Sequence, residues 1–546
     1  MSQTLTKPFW RKLSLLPVVL VLVSCGGGDS SLTANLTGQV TALFTNPSTK
    51  VTHYAASRFL EQAAMGPSPA SVAQVKSIGI ESWVASQLAL PATTFTTPED
   101  LVEYDLNLDR PIGQRMNEFV NSSTYNAFIA GDDQLRLRTS WILSNFLVVS
   151  TRKVSPLGGI EFFNMLQTHA FGNYGDLLKA MSKHAAMGEY LDNFQNRRDQ
   201  LNENYGRELM QLFSVGLVQL NMNGTIKKDA SGKPLETYSQ KDVIEITRAL
   251  TGWKWAEPDV KRKGSNWANF RKPMAPQWPN QHDTDSKVLL GKTIPAGQDA
   301  YKDLDSVVEI LMNHPNTAPF ISLRLIQGMT TSDPSPAYLE RVATVFKDTN
   351  GNLGKVVRAI LLDPEARAGD VSSKSTANFG RIKEPVLMFT SGNRGLGCRS
   401  AMKAHWNSTE TWTPNNQRPF HAYSVFGFYP PNHRTQGSNV LAPEHKMLNS
   451  NEFSTRMNMF RNQFRSESLL IDAGCDVNSF KAAAAISDEK LMDLMSERYF
   501  RGAMPASVAK SIIDAHKTYY ARTDAMSLTG AMLDMASLTP IFGVSK

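Results

Sequence analysis

The sequence predicts an all-α, multi-helix globular body interrupted by two long irregular loops, and three observations predict it. Apolar residues recur at helical spacing along most of the chain beyond residue 50, helix-ending glycines and prolines stand where that spacing stops, and strand candidates are confined to one short stretch. With 41% hydrophobic and 20% charged residues over 546 positions, the composition is that of an ordinary globular chain. Helices could bury that material around one extended core, so residues 51–546 are read as a single large domain.

Phe59, Leu60, Ala63 and Ala64 give a helix over 55–66 its apolar side. Ser68-Pro69 opens a second, because proline suits the first helical turn, and Gly79 ends it. Trp83, Val84 and Leu88 stripe a third, stopped by Pro91. The 135–149 segment, with Trp141, Phe146 and Leu147, is apolar enough to be central to the core, and helices over 160–170 and 177–191 follow. After a polar connection over 193–201, Asn202 is placed to cap a helix whose positive first turn holds Glu203 and whose stripe is Leu209, Leu212 and Phe213. Beyond a polar excursion over 221–234, Ser239 and Asp242 form a capping-box pattern ahead of Val243, Ile246 and Leu250, with Gly252 as the stop.

The 254–297 stretch, rich in Pro, Trp, Asn and Lys, is the first irregular loop, with a short β-hairpin expected from 288–290 and 292–294 around Gly291. Helices resume over 304–312, 318–328, 337–348 and 353–362. The second loop covers 393–442, and helical patterns return over 487–500, 507–519 and 528–537. No fixed-period repeat appears, which excludes a solenoid reading.

The N-terminus gives an address. Lys7, Arg11 and Lys12 precede an apolar run over 13–23, about half the ~20 residues a permanent membrane helix needs. Leu22-Val23-Ser24-Cys25 then has the lipobox arrangement, so residues 1–24 are read as a signal peptide and Cys25 as a lipidation site. Residues 25–50 form a tether that opens with Gly26-Gly27-Gly28-Asp29-Ser30-Ser31. The expectation is a cell-envelope lipoprotein held outside the cytoplasm by acyl chains such as palmitate, in the outer membrane if the cell is Gram-negative. Of the three cysteines, Cys398 and Cys475 remain; an oxidising compartment permits a disulfide between them, the alternative being two free thiols.

Charge excludes one class of partner. The formal +7 falls to about +4 once the signal peptide is removed, a small excess over 57 basic and 50 acidic residues. No block concentrates it, the short Lys261-Arg262-Lys263 run reading as a solvated loop, so nucleic-acid binding is not expected.

A specific resemblance rests on Asn202-Glu203-Asn204-Tyr205-Gly206-Arg207-Glu208-Leu209-Met210-Gln211-Leu212-Phe213, and on Tyr238 through Asp242-Val243 to Arg248-Ala249-Leu250-Thr251-Gly252-Trp253. Further pieces are His184-Ala185-Ala186-Met187, Tyr190-Leu191-Asp192-Asn193, His282-Asp283 before Lys287, His314-Pro315, Lys383-Glu384-Pro385, and Ser424-Val425-Phe426 to Tyr429-Pro430-Pro431. In this order they resemble the bacterial domain of unknown function 1800 family, from about Arg58 to the C-terminus. The resemblance implies a helical exported protein, often encoded beside a secreted partner that resembles the alkaline phosphatase and sulfatase superfamily. It implies no reaction.

The densest polar residues lie on two helices. Glu203 and Arg207 share a face, as do Asn204 and Glu208, while Asp242, Glu245 and Arg248 line one side of the second helix. Glu208 and Asn204 flank the apolar stripe, so burial is expected, with Arg207 or Arg248 as partner for Glu208. One reading makes Glu203, Glu208, His184, His282 and Asp283 a catalytic cleft for acid–base hydrolysis, with or without a divalent metal. The preferred reading is an inter-helix ion-pair network with His184 satisfied at a helix end. Trp253, Trp255, Trp267 and Trp278 either stack on a ligand or cover the core. His-Glu-x-x-His, Gly-x-Ser-x-Gly and phosphate-loop signatures are absent from the sequence. Three functions compete: a binding or assembly lipoprotein for an exported partner, an extracytoplasmic hydrolase, and a structural envelope protein.

Overall fold

In the computed structural model, helix Gln134–Phe146 is the element on which the core is assembled. Its Leu135, Leu137, Trp141, Ile142 and Leu143 are buried, and Arg138 lies fully buried among them. It packs on helices Ile80–Ala89, Pro156–His169 and Thr317–Met329, so apolar faces from distant parts of the sequence converge on it. The structure describes residues 51–96, 110–256, 270–277, 279–371, 379–400, 417–464, 466–519 and 524–546. Cys25, the leader and tether, Lys261-Arg262-Lys263, Trp267 and Trp278 lie outside the described residues.

The chain is mainly helical, with two small antiparallel strand pairs among the described residues. Local chemistry sets many of the ends. Ser68 and Ser71 form a reciprocal capping box with Pro69 in the first turn of helix Pro69–Ile78, and Gly79 ends it at φ 86°. Ser239 and Asp242 do the same for helix Gln240–Ala249. Asn202 serves the start of helix Asn204–Gln211 through its Oδ1, which accepts the Asn204 N–H at 3.1 Å.

Two departures from the periodicity have physical causes. The segment expected as one helix over 177–191 is two, Tyr174–Lys183 and Ala185–Tyr190, because His184 turns to β geometry and its Nδ1 caps the second at Ala186 N–H, 3.1 Å away. The spacing predicts no helix over Arg110–Ala130 because Asn121, Ser122, Ser123 and Thr124 interrupt its apolar stripe. Helices Pro385–Gly395, Ser450–Gln463, Glu467–Asp472 and Val477–Ile486 likewise lie where no helical pattern was read.

The hairpin forms from Lys287–Leu289 and Lys292–Ile294, with Val288 opposite Thr293. Leu290 and Gly291 both take positive φ, 49° and 74°, the geometry that a two-residue turn needs to match strand twist. The second pair, Arg381–Ile382 with Val544–Ser545, ties the C-terminus to the segment carrying Arg381. A disulfide joins Cys398 to Cys475 across 77 residues. No described helix is long and apolar enough to cross a membrane. Residues 50–546 cohere as one compact unit.

The disulfide closes a long loop, so its removal should loosen the C-terminal helices. Replacing both cysteines by serine is expected to lower unfolding free energy by ~4 kcal/mol in urea titrations. An unchanged midpoint would show that the crosslink carries no stability.

Candidate functional site

The two polar helices meet, but most of their charges are spent on holding structure. Glu203, half-buried, pairs with Arg207 at 2.7 Å and accepts Gln240 Nε2 at 3.0 Å. Asn204 is exposed rather than buried, and its amide reaches Asp192 at 3.3 Å. Asp242 and Glu245 act as a docking rail for the hairpin: Asp242 Oδ1 accepts Leu290 N–H and Glu245 Oε2 accepts Val288 N–H, each at 2.8 Å. These carboxylates satisfy alternate backbone donors along a strand edge that would otherwise lack partners. Arg248 completes the rail, meeting Glu245 at 3.0 Å and gripping Asp283 through Nε at 2.8 Å and Nη2 at 3.2 Å.

His282 and Asp283 are buried rather than presented from an open loop, at 4% and 6% exposure. His282 Nδ1 lies 3.0 Å from the Thr251 carbonyl and its Nε2 3.4 Å from Asp303. Lys287 reaches the same Asp303 carboxylate at 2.7 Å. Burial alone would raise the Asp303 carboxyl, but His282, Lys287 and Gln298 hold it below its ordinary value. Asp283 is likewise held down by Arg248 against the opposing effect of burial. Gly252 lets His282 sit this close: at φ 86°, a Cβ there would lie 3.1 Å from the His282 backbone nitrogen. His184 is a helix cap whose ring meets Phe162 edge-on at 5.2 Å, and burial pushes its pKa down to about 4.

Glu208 departs from the expected pairing. It is 9% exposed, neither Arg207 nor Arg248 forms an ion pair with it, and its Oε2 has no hydrogen-bond partner among the described residues. Burial holds its carboxyl above the usual range, with Arg207 opposing weakly, and helps raise neighbouring Tyr190 to about 12. Trp253 is buried against Tyr301 and Trp255 stacks on Phe194 at 4.0 Å, so both cover the core. No group of His, Cys, Asp or Glu among the described residues has metal-site geometry.

A different cluster, unmarked by local spacing, organises a cavity. Arg381, 2% exposed, donates to Glu444 through Nε at 3.0 Å and Nη2 at 2.8 Å, to Glu384, and to the Gly328 carbonyl at 2.8 Å. Glu384 also accepts from Gln417 and from Trp141 Nε1 at 3.3 Å, and Ser332 donates to Glu444 at 2.8 Å. Burial would weaken the Arg381 charge, yet Glu444 and Glu384 raise its pKa. Arg138 donates to the Gly328 carbonyl at 2.9 Å, and burial with neighbouring Arg381 brings it down to about 9.

Above this cluster lies a cavity of about 70 Å³ walled by Ile142, Phe146, Leu212, Phe320, Val425 and Phe426. Asn145, Arg324, Tyr429 and Glu444 supply its polar lining. Arg324 sits over the Phe320 ring at 4.8 Å and donates to Gln327 at 3.1 Å. It has no carboxylate partner among the described residues, and burial pushes it down to about 10. None of Glu203, Glu208, His184, His282 or Asp283 lines this cavity.

Fold and cavity together define a mainly helical protein built over a buried ionic cluster. The chain belongs to the family described as protein of unknown function (DUF1800), whose model matches residues 58–542. Comparison with curated proteins and with solved structures finds no match. The sequence did hold a signal for the cavity: Leu212, Val425, Phe426, Tyr429 and Pro431 all belong to the short motifs that carry the family resemblance, and all line it.

Two expectations follow. Arg381→Met leaves two buried carboxylates without their counter-charge and should cost ~3–5 kcal/mol in chemical unfolding, and a loss under 1 kcal/mol would contradict the cluster's role. His184 binds a proton near 6.5 when unfolded but near 4 when folded, so its contribution is present above pH 6.5 and lost as pH falls towards 4. Thermal melts across that window should show a smaller decline in His184→Asn, which keeps a capping acceptor; an identical slope would disprove the assignment.

Proposed function

We propose that the protein is an exported lipoprotein, anchored to the cell envelope through acylated Cys25, that binds a partner outside the cytoplasm. One observation carries the binding role: Glu203, Arg207, Glu245 and Arg248 on the two polar helices are engaged in structural pairs, whereas Arg324 lines an apolar cavity with no counter-carboxylate among the described residues. Such a cavity with few polar groups is the common form of a recognition site. The partner we propose is an exported protein resembling the alkaline phosphatase and sulfatase superfamily. The anchor rests on the short apolar run ending at Ser24-Cys25.

A second reading, an extracytoplasmic acid–base hydrolase, draws on Glu208 alone, whose buried carboxyl is raised and has an unpartnered oxygen. Glu208→Gln separates the two, since it should leave partner capture intact.

The experiment is expression in the native host with labelled palmitate, followed by capture from solubilised membranes. Label should enter the wild type, Cys25→Ala should lose it and leave the membrane fraction, and an exported protein should co-purify. A protein that is unlabelled, cytosolic and always alone would defeat the proposal.

A further inference from the structure

We infer that the Arg324 cavity binds the carboxylate of an acylated aliphatic amino acid, the chemistry of a peptide C-terminus, with Asn145 receiving its amide N–H. The inference rests on the proposed binding role and names the ligand class of that site.

Three features define the ligand. The first is charge. Arg138 and Arg381 are balanced by Glu384 and Glu444 in the buried cluster, so Arg324 is a surplus cation among the described residues that line the cavity. Glu444 forms no ion pair with Arg324: its carboxylate is paired with Arg381 and accepts from Ser332, and burial alone sets the Arg324 shift. Nη1 of Arg324 is used by Gln327 at 3.1 Å, which leaves the Nε–Nη2 edge. That edge is the one this protein uses elsewhere for carboxylates: Arg248 grips Asp283 with it, and Arg341 grips Asp363 through Nε and Nη2, both at 2.8 Å. A planar fork of this kind favours a bidentate carboxylate.

The second feature is an acceptor. Asn145 lines the cavity; its Nδ2 faces Glu384 at 3.5 Å, and its Oδ1 is buried without a partner among the described residues. Turning the amide over would set oxygen against the Glu384 carboxylate, so the orphan acceptor stays on the other side. A buried acceptor without a donor is costly, and a ligand N–H would remove that cost.

The third feature is size. Ile142, Phe146, Leu212 and Phe320 wall about 70 Å³ of a partly open cavity, roughly half of the ~150 Å³ that accommodates a benzene ring. A small branched aliphatic side chain suits that scale better than a bulkier aromatic one.

The test is calorimetry on the full chain in detergent micelles. N-acetyl-leucine should bind, while N-acetyl-leucinamide, which lacks the charge, and 4-methylpentanoate, which lacks the N–H, should each bind about tenfold or more weakly. In Arg324→Gln, shown to be folded by its melting curve, the acid and the amide should bind alike. A hexapeptide ending in leucine that binds at least as well assigns the source to a protein terminus, and its exclusion assigns it to a free acyl amino acid. Absence of N-acetyl-leucine binding, or equal wild-type affinity for acid and amide, overturns the inference. If an exported partner is still captured in that case, the binding role survives and only the ligand class is wrong.

Discussion

The grip of Arg381 on Glu384 and Glu444 is the interaction on which the rest of this structure depends. It brings together a β-strand pair formed with the C-terminus, the start of helix Pro385–Gly395 and the turn at Pro443–Met447. All three partners are at most 2% exposed, so their desolvation is severe, and the attraction balances it only because neighbouring groups satisfy the remaining valences. Gly328 shows how tightly this is arranged. Its carbonyl accepts from both Arg138 and Arg381, and a Cβ on it would meet Ile142 at 2.4 Å. The cluster therefore fixes how helix Thr317–Met329 sits on helix Gln134–Phe146, and the cavity opens at that crossing.

A second buried network, around Glu61, works on the same principle. Glu61 meets Lys383 at 3.0 Å and Arg501 at 2.8 Å, joining the first described helix to segments more than 300 residues away. Lys383 and Glu384 are neighbours, so one turn of chain serves both networks with opposite charges. The His282–Asp303–Lys287 group does comparable work at the hairpin. Ionic groups inside this protein chiefly join distant segments, and Arg324 and Glu208 are two that form no ion pair among the described residues.

Much of the fold was legible because helix ends are written locally. Ser68-Pro69, Ser239 with Asp242, Gly79 and Gly252 each mark a boundary through chemistry that spans three or four residues. The hairpin was equally readable from Gly291 and its flanks. Helix Arg110–Ala130 was not, since its polar residues interrupt the stripe and tertiary packing overrides local pattern. The buried ionic cluster beneath the cavity was hidden for another reason. Glu444 comes from a segment separate from that of Arg381 and Glu384, and an ion pair leaves no periodic trace along the chain. The polar density at 203–208 and 242–248 was legible as structural pairing, but its ion pairs run within each helix and to Asp283 rather than between the helices, and its task of pairing a strand edge left no local trace.

The arginines of this core differ sharply: Arg138 and Arg381 are sealed, whereas Arg324 is only partly buried and lines the cavity. Timed modification of the native protein by phenylglyoxal, read peptide by peptide in a mass spectrometer, addresses that directly. Arg324 should react while the protein is folded, with Arg138 and Arg381 reacting only as the whole chain unfolds. Modification of Arg381 as fast as that of Arg324 under native conditions would contradict the account.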